Sequence, residues 1–278
     1  MSHKSSLNAS GNRKSLRKGN STEFSDFREY MPGDDLRRMD WNAYARLDKL
    51  YIRQYMEEKE AVVSVLIDTS ASMDYGVQSK AELAKDLAAV VSFLALGNMD
   101  RVRLYDMKDM GRTLSAGGGR SAFAKVLRFL ENLEFSGEVD MLSAVRKMHC
   151  QGAGVTVLIS DFLHPDMLRE DTVRSGYEKL LQYLNYSRQL PVVLHTMAAE
   201  ELHVSLEGVL NLIDAETKSK KRLVVDAKAV DSYERELKYF TERIKKGTDR
   251  GRGIYVLCDA GRDRSQLVFQ DLRVIYDI

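Results

Sequence analysis

The feature that most constrains the fold is a continuous apolar run that ends abruptly in oxygen-bearing side chains. Residues 61–67 read AVVSVLI, and Asp68, Ser70 and Ser72 follow directly. A strand without polar alternation is typical of a parallel sheet whose two faces are both covered. Residues 154–162, GVTVLISDF, repeat this design. The two segments therefore predict buried strands that bring polar groups to one edge of a sheet.

Strand-like and helix-like segments alternate through most of the remaining chain. Helices are predicted at 79–97, 121–133, 140–150 and 173–188, and further strands in RVRLYDM, RTLSA, LPVVLHTM and GIYVLCDA. This alternation predicts an α/β fold with a doubly wound, mostly parallel sheet. One segment differs, because residues 207–227 hold two apolar strands around a lysine-rich tip, which predicts an inserted β-hairpin.

The N-terminal part of the chain has a different composition. Residues 1–22 are rich in Ser, Asn, Gly, Lys and Arg, and are predicted to form a flexible basic arm. Residues 23–60 are predicted to form an N-terminal strap, with helical spacing over 36–47 followed by an edge strand in KLYIRQYMEE. The remainder, 61–278, is predicted to be one α/β domain that carries the hairpin.

Composition argues against several functional classes. The 42 Lys and Arg residues balance 41 Asp and Glu residues, so the net charge of +1 gives no broad field for nucleic acid or acidic membranes. No apolar run reaches the roughly 18 to 20 residues that span a bilayer, and the N-terminus lacks the apolar core of a signal peptide. Cys150 and Cys258 lie far apart, which predicts free thiols in a reducing compartment. We therefore expect a cytoplasmic protein without a membrane span that binds no nucleic acid.

The predicted strand ends supply hard oxygen ligands. In an open parallel sheet, ligands bind beyond the carboxyl ends of the strands, where the strand order reverses. Asp68, Ser70 and Ser72 follow one strand, and Asp161 follows another. Carboxylates and hydroxyls suit octahedral Mg²⁺ or Mn²⁺ and do not suit zinc. The pattern predicts a metal site, although the same residue types can also cap a following helix.

Two segments resemble known families. LIDTSASM followed by LISDF resembles the metal-ion-dependent adhesion site of von Willebrand factor A domains. EFSDFREYMPGDDLRRMDWNAYAR closely resembles the signature that precedes such a domain in the bacterial domain-of-unknown-function 58 family, and the resemblance runs from about Glu23 to the C-terminus. It implies a von Willebrand A core, no established catalysis and frequent genetic association with MoxR-type AAA+ ATPases.

The resemblance also implies a ligand set. Asp68, Ser70 and Ser72 match the first ligand motif of the adhesion site, and Asp161 matches the acid of the later strand. Such a site leaves one coordination position open, which a carboxylate of a partner protein can fill. The resemblance therefore implies a metal-bridged interaction module.

One position departs from the family pattern. The family has Gly-x-Thr-Asp-Leu, in which the threonine is a metal ligand, whereas residues 137–141 read Gly-Glu-Val-Asp-Met. Val139 stands in place of the threonine and carries no oxygen. A water, Asp140 or Glu138 therefore has to replace the missing ligand.

These observations lead to two expected functions. The resemblance implies a non-enzymatic module that works with a MoxR-type AAA+ ATPase in the maturation or chaperoning of a client protein. The alternative is a Mg²⁺-dependent phosphotransferase or phosphatase of haloacid-dehalogenase type, because a strand followed by Asp-x-x-x-Ser also resembles the start of that family. That family requires a second aspartate two residues after the first, where this chain has Ser70.

Other catalytic classes have no support in the spacing of the residues. The histidines at 149, 164, 195 and 203 are scattered, so no ligand pair for zinc is apparent. The chain also lacks the Gly-x-Ser-x-Gly elbow of serine hydrolases. We therefore expect no zinc site and no serine-hydrolase activity.

Overall fold

A computed structural model describes most of the chain: residues 18–56, 61–150, 152–164, 167, 175–204, 208–215 and 218–276. Its internal contacts divide the chain into two units, residues 1–60 and 61–278. Most of the predicted basic arm, residues 1–17, lies outside the described residues, as do residues 57–60 of the predicted strap.

The first unit contains a two-stranded antiparallel sheet. Strand β1 (Lys18–Glu29) pairs with strand β2 (Tyr51–Met56). The strand predicted in KLYIRQYMEE is therefore present, and β1 begins inside the segment that was predicted as an arm.

The predicted helix over 36–47 is interrupted, which corrects the sequence-based expectation. A 3-10 turn covers Leu36–Arg38, and helix α1 begins only at Trp41 and ends at Leu47. Between them, Asp40 has an extended backbone, and its carboxylate accepts hydrogen bonds from the N–H groups of residues 42 and 43 at 2.9 and 3.0 Å. An N-cap of this kind starts a new helix, so the helical spacing alone was misleading.

The second unit is built around a six-stranded sheet. Its strands, together with a separate hairpin, are β3 (Val62–Ile67), β4 (Arg101–Asp106), β5 (Thr113–Ala116), β6 (Gly154–Ser160), β7 (Gln189–Met197), β8 (Gly208–Ile213), β9 (Lys220–Val225) and β10 (Ile254–Asp259). The order in the main sheet is β10-β7-β6-β3-β4-β5, and only β4 and β5 pair antiparallel. Counted within this unit, the order is that of doubly wound folds, which reverses direction beside the first strand. The predicted α/β fold class is confirmed.

Helices cover both faces of this sheet. They are α2 (Lys80–Gly97), α3 (Phe123–Glu131), α4 (Met141–Lys147), α5 (Gly176–Tyr186), α6 (Ala199–Leu202), α7 (Ala227–Arg250) and α8 (Arg264–Gln266). Successive strand residues point to opposite faces, so Val65 and Ile67 pack with α2 and α3, while Leu66 packs with α4 and α5. Helices α2 to α5 fall in the four stretches predicted to be helical.

The inserted hairpin is confirmed as β8 and β9. The two strands pair antiparallel, with Val209 opposite Val224 and Leu210 opposite Leu223. They form a two-stranded sheet of their own, outside the main sheet. The lysine-rich end of β9 is exposed, as its composition indicates.

Two further features concern membranes and thiols. In the part of the chain that the structure describes, no helix has both the length and the apolar character that crossing a membrane requires. Cys258 is buried, Cys150 is half-buried, and both are free thiols.

The approach of β10 to β7 leaves no room for a side chain at Gly253. A Cβ atom there would lie 2.6 Å from the Pro191 carbonyl oxygen and 2.7 Å from Cγ2 of Thr248. We predict that Gly253→Ala lowers the free energy of unfolding by roughly 1–3 kcal/mol because of this overpacking. In the control Gly117→Ala, the added Cβ has its nearest contact at 3.8 Å, with the side chain of Arg101. It should change stability by less than about 0.5 kcal/mol, and equal effects in urea denaturation would contradict the prediction.

Candidate functional site

Two acids meet at the carboxyl ends of β3 and β6. The parallel register pairs Ile67 with Ile159, and the N–H of Asp68 donates to the Ile159 carbonyl oxygen at 2.9 Å. Asp68 therefore lies beside Ser160, which ends β6, and Asp161, which follows it. The two acids are only 1% and 2% exposed, so both carboxylates sit out of bulk water.

The carboxylate of Asp68 is held by hydrogen bonds from the loop after β3 and from β6. One carboxylate oxygen, Oδ1, accepts a hydrogen bond from the N–H of Ser70 at 3.0 Å, and the other, Oδ2, accepts one from the hydroxyl of Ser160 at 2.6 Å. The hydroxyl oxygens of Ser70 and Ser72 lie 3.0 Å apart. Ser70 is buried and Ser72 is half-buried, so Ser72 lies on the side of the site nearer to solvent.

The pKa of Asp68 departs clearly from its usual value. Burial, which is the larger cause, and the negative charge of Asp161 together raise it to about 6, although hydrogen bonds from Ser160 and Ser70 work in the opposite direction. Acids with perturbed pKa values are concentrated at functional sites. Asp68 is therefore the residue here whose charge is least compensated by the protein.

Asp161 has a cationic partner that the sequence analysis missed. Its Oδ2 atom accepts a hydrogen bond from the Lys80 ammonium at 2.7 Å, and Lys80 also donates to Oε1 of Glu201 at 2.7 Å. The other oxygen of Asp161, Oδ1, accepts from the N–H of Leu163 at 3.0 Å. Burial opposes the charge on Lys80, but the two acids raise its pKa, so the lysine remains an ammonium. We call Asp68, Ser70, Ser72, Asp161 and Lys80 the strand-end site.

The structure gives Asp140 a capping role. It precedes α4, and its two carboxylate oxygens accept hydrogen bonds from the N–H and the hydroxyl of Ser143 at 2.9 and 2.6 Å. These bonds lower its pKa. Neighbouring Val139 is buried in the apolar cluster that contains Leu66 and Phe162. Asp140, predicted as a possible replacement ligand for the metal, therefore has both carboxylate oxygens engaged in capping α4.

A buried histidine, which sequence reasoning also missed, holds the loop after β6. The Nε2 atom of His195 lies 3.0 Å from the carbonyl oxygen of Asp161, and its Nδ1 atom lies 2.9 Å from the hydroxyl of Tyr255. Burial lowers the pKa of His195 to about 4, although the Asp161 charge works in the opposite direction. A neutral ring that faces a carbonyl oxygen must donate through Nε2, so Nδ1 accepts from Tyr255.

The residue after Asp161 has an unusual backbone. Phe162 adopts a φ of 55° in the left-handed region and is fully buried. Its N–H donates to the Ser160 hydroxyl at 2.9 Å, and its ring packs edge-on against Tyr177 and His195. A bulky residue in this conformation costs on the order of 1–3 kcal/mol, and such strain concentrates at functional sites. Packing thus holds the Asp161 backbone in one conformation.

The missed residues left weaker signals in the sequence. Lys80 lies three and seven residues before Leu83 and Leu87, both buried, so helical periodicity places it on the inner face of α2. Asp106 ends β4 as Asp68 and Asp161 follow β3 and β6, and it accepts a hydrogen bond from the Thr69 hydroxyl. Three adjacent strands thus lead into acids, a repetition that could have been read from the sequence.

The hydroxyls of the strand-end site have the spacing that a small divalent cation requires. Among the described residues, no group of three or more His, Cys, Asp or Glu side chains is arranged to hold a metal, but the predicted set depends on hydroxyls. Adjacent ligands of an octahedral ion with metal–oxygen distances of about 2.0–2.1 Å are about 2.9 Å apart, close to the 3.0 Å between the hydroxyls of Ser70 and Ser72. The two serines therefore fit the ion. Asp68 beside them has a raised pKa and only neutral hydrogen-bond donors in the described contacts, whereas Asp161 is paired with Lys80 and Asp140 caps α4 with a lowered pKa.

Removing the charge of Asp68 is predicted to favour the folded protein at neutral pH. Its folded pKa of about 6 lies above the ordinary value of 3.8, so its contribution to stability is fully present below pH 3.8 and is lost as the pH rises through 6. The variant Asp68→Asn stays neutral. We expect its free energy of unfolding, relative to that of the native chain, to rise by roughly 2 kcal/mol between pH 4 and pH 8.

Chemical denaturation of both proteins in EDTA at the two pH values measures this difference. A stability difference that is independent of pH would contradict the prediction, because it would mean that hydrogen bonds to the carboxylate balance its burial and the charge of Asp161. A difference that falls as the pH rises would mean that the hydrogen bonds outweigh them.

Some solved structures share limited similarity with the chain. A von Willebrand factor type A protein from Catenulispora acidiphila is 14% identical with a TM-score of 0.45, over 80% of this chain and 43% of that one. The protein BatB from Bacteroides thetaiotaomicron is 16% identical with a TM-score of 0.41, over 72% of this chain and 90% of that one. The assignment of the fold rests on the sheet order of this chain rather than on these similarities.

The sequence comparisons are more informative. The chain is 32% identical over 156 residues to the uncharacterized proteins Mb1516 of Mycobacterium bovis and Rv1480 of Mycobacterium tuberculosis, which covers 53% of this chain and 49% of each relative. The chain thus spans about half the length of these relatives. The family model described as "Protein of unknown function DUF58" matches residues 26–242, most of the chain. The chain belongs to the DUF58 family.

Proposed function

We propose that this chain is a non-enzymatic interaction module that binds an acidic group of a partner protein through Mg²⁺ or Mn²⁺ at the strand-end site. The observation that carries the proposal is the donor set of Asp68, Ser70 and Ser72. Its acid is buried with a raised pKa, and its hydroxyls have the spacing of two adjacent ligands. This set lies beyond the carboxyl end of the first strand of the doubly wound sheet, where such folds bind ligands.

Each residue of the set has a distinct task. Asp68 supplies the negative charge, and hydrogen bonds from the Ser160 hydroxyl and the Ser70 N–H fix the orientation of its carboxylate. Ser70 and Ser72 supply neutral oxygens, with Ser72 on the side nearer to solvent. When bound, the cation would offer an open coordination position to a carboxylate of the partner. Its removal should therefore weaken binding of the partner.

The proposed partner is a MoxR-type AAA+ ATPase, with maturation or chaperoning of a client protein as the outcome. This part of the proposal is supported by the family resemblance, which implies frequent genetic association with MoxR-type ATPases. We place the module in the cytoplasm, where Cys150 and Cys258 would remain reduced thiols.

The phosphotransferase alternative depends on the same aspartate. It requires a carboxylic acid two residues after Asp68, and the residue there is Ser70, whose hydroxyl is paired with that of Ser72. A serine hydroxyl is a poor general acid at neutral pH. The geometry therefore favours a binding role for Asp68 over a role as nucleophile.

Thermal unfolding tests the metal site. A cation that binds only the folded state must raise the unfolding midpoint, so we expect Mg²⁺ or Mn²⁺ at millimolar concentration to raise the midpoint above that in EDTA. Asp68→Ala should abolish this rise. Asp140→Asn keeps a good helix cap and should leave the rise unchanged if Asp140 only caps α4.

The variant Val139→Thr completes this experiment. It restores the oxygen that the family pattern expects, at the cost of burying a hydroxyl, so the metal-dependent shift is compared rather than the starting midpoint. No shift in the native chain, together with a shift in Val139→Thr, would mean that the native site has lost its metal and that the partner binds elsewhere.

Binding of the ATPase tests the partner. We expect a purified, nucleotide-free MoxR-type ATPase to bind the immobilised module in Mg²⁺, with at least about tenfold weaker binding in EDTA or to Asp68→Ala, because the bridging ion is lost. Equal binding in all three cases would contradict the metal bridge. Release of phosphate from p-nitrophenyl phosphate that depends on Asp68 would support the phosphotransferase instead.

A further inference from the structure

Lys80 occupies a position that is unfavourable for a lysine. It is the first residue of the 18-residue helix α2 and is 0% exposed. The N-terminus of a helix carries a partial positive charge and favours acids rather than ammonium groups. Burial adds a large desolvation penalty. A charged lysine is stable there only because acids surround its ammonium, and the structure supplies them in Asp161 and Glu201.

The second acid is itself firmly held. Glu201 belongs to α6. Its second carboxylate oxygen, Oε2, which Lys80 does not contact, accepts a hydrogen bond from the N–H of Ala198 at 2.8 Å. The carbonyl oxygen of Glu201 accepts one from the hydroxyl of Tyr233 at 3.0 Å. Next to it, Glu200 accepts from the N–H of Val77 at 3.1 Å. The contact between Lys80 and Glu201 is therefore part of a fixed arrangement and not a surface ion pair.

We propose that the ammonium of Lys80 is the built-in cation of the strand-end site: it neutralises Asp161 in place of a metal ion and confines a divalent cation to Asp68, Ser70 and Ser72. This inference rests on the proposed function, because it specifies how the same site binds its metal. Apolar residues in place of Lys80 and its two acids could fill the same space without any buried charge. Stability alone therefore does not explain the lysine.

The charges around the strand-end site predict that it binds a divalent cation weakly on its own. Three carboxylates, Asp68, Asp161 and Glu201, share this region with one ammonium. The affinity of an oxygen site for a divalent cation follows the number and charge of its ligands. Lys80 occupies one Asp161 oxygen and adds a repelling positive charge, so the free site binds its cation weakly. A carboxylate of the partner then supplies the missing negative charge, which couples binding of the metal to binding of the partner.

The test compares Mn²⁺ binding by the native chain and by Lys80→Met, using isothermal titration calorimetry. We expect Lys80→Met to bind Mn²⁺ at least about tenfold more tightly, because an Asp161 oxygen and a negative charge become available. Adding Asp161→Asn to this variant should remove the gain. The matched control is Lys85→Met, which removes a positive charge from the same helix where Lys85 pairs with Glu82, and it should leave the affinity within about twofold.

Loss of Lys80 can also impair folding, because it leaves buried acids unpaired. The double variant Lys80→Met/Glu201→Gln removes one of those acids and keeps Asp161, and the Mn²⁺-dependent rise of its unfolding midpoint should exceed that of the native chain. Folding of either variant only in Mn²⁺ supports the inference as well.

Two results would overturn it. If the native chain binds Mn²⁺ and the Lys80 variants bind with equal or lower affinity, Lys80 does not replace a metal, and the proposed function stands. If neither the native chain nor the folded variants bind Mn²⁺, both the inference and the metal bridge of the proposed function fail.

Discussion

The close approach of two buried carboxylates is the constraint on which the strand-end site depends. Parallel pairing of β3 with β6 places Asp68 beside Asp161, away from bulk water. Like charges in such surroundings oppose folding unless they are paired or protonated. Among the described contacts, only the charge of Asp161 is balanced by a cation, the ammonium of Lys80. Asp68 receives hydrogen bonds from neutral donors instead. This asymmetry makes Asp68 the place where an added positive charge is most favourable.

The residues around Asp161 hold its backbone in place, so the two acids cannot move apart. The loop after β6 is held by the buried ring of Phe162 in a left-handed conformation and by the hydrogen bond between His195 and the Asp161 carbonyl. His195 is held in turn by Tyr255 of the adjacent strand β10. Apolar side chains on both faces of the sheet exclude water, which strengthens every electrostatic interaction at the strand ends. The acids therefore remain close together instead of moving apart.

Much of the fold could be predicted because its signals are local. Continuous apolar runs gave the buried strands, helical periodicity gave α2 to α5, and the lysine-rich turn gave the β8–β9 hairpin. The interrupted helix near Asp40 was not predicted, since spacing alone does not show which acid will cap a new helix. Local patterns therefore predicted the types of the elements better than their ends.

The site was predicted less completely, because burial depends on tertiary structure. Asp68 and Asp161 were found from their positions after apolar strands. Helical spacing places Lys80 on the inner face of α2, but nothing local shows that it meets Asp161 there. Asp140 illustrates the opposite case: an acid in a family motif whose visible contacts are those of a helix cap. The sequence could not show that Lys80 pairs with Asp161, which is distant from it in the chain. This pairing determines which carboxylate is left for a ligand.

Anomalous diffraction from crystals grown with Mn²⁺ would show directly whether the cation binds near Asp68 while Lys80 stays on Asp161. We expect one anomalous peak at the strand-end site, from a Mn²⁺ ion bound by the hydroxyls of Ser70 and Ser72 with Asp68 beside it. The Lys80 ammonium should stay on Asp161. A peak bound to Asp161 with Lys80 turned away, or no peak at the strand ends at a saturating concentration of Mn²⁺, would contradict this expectation.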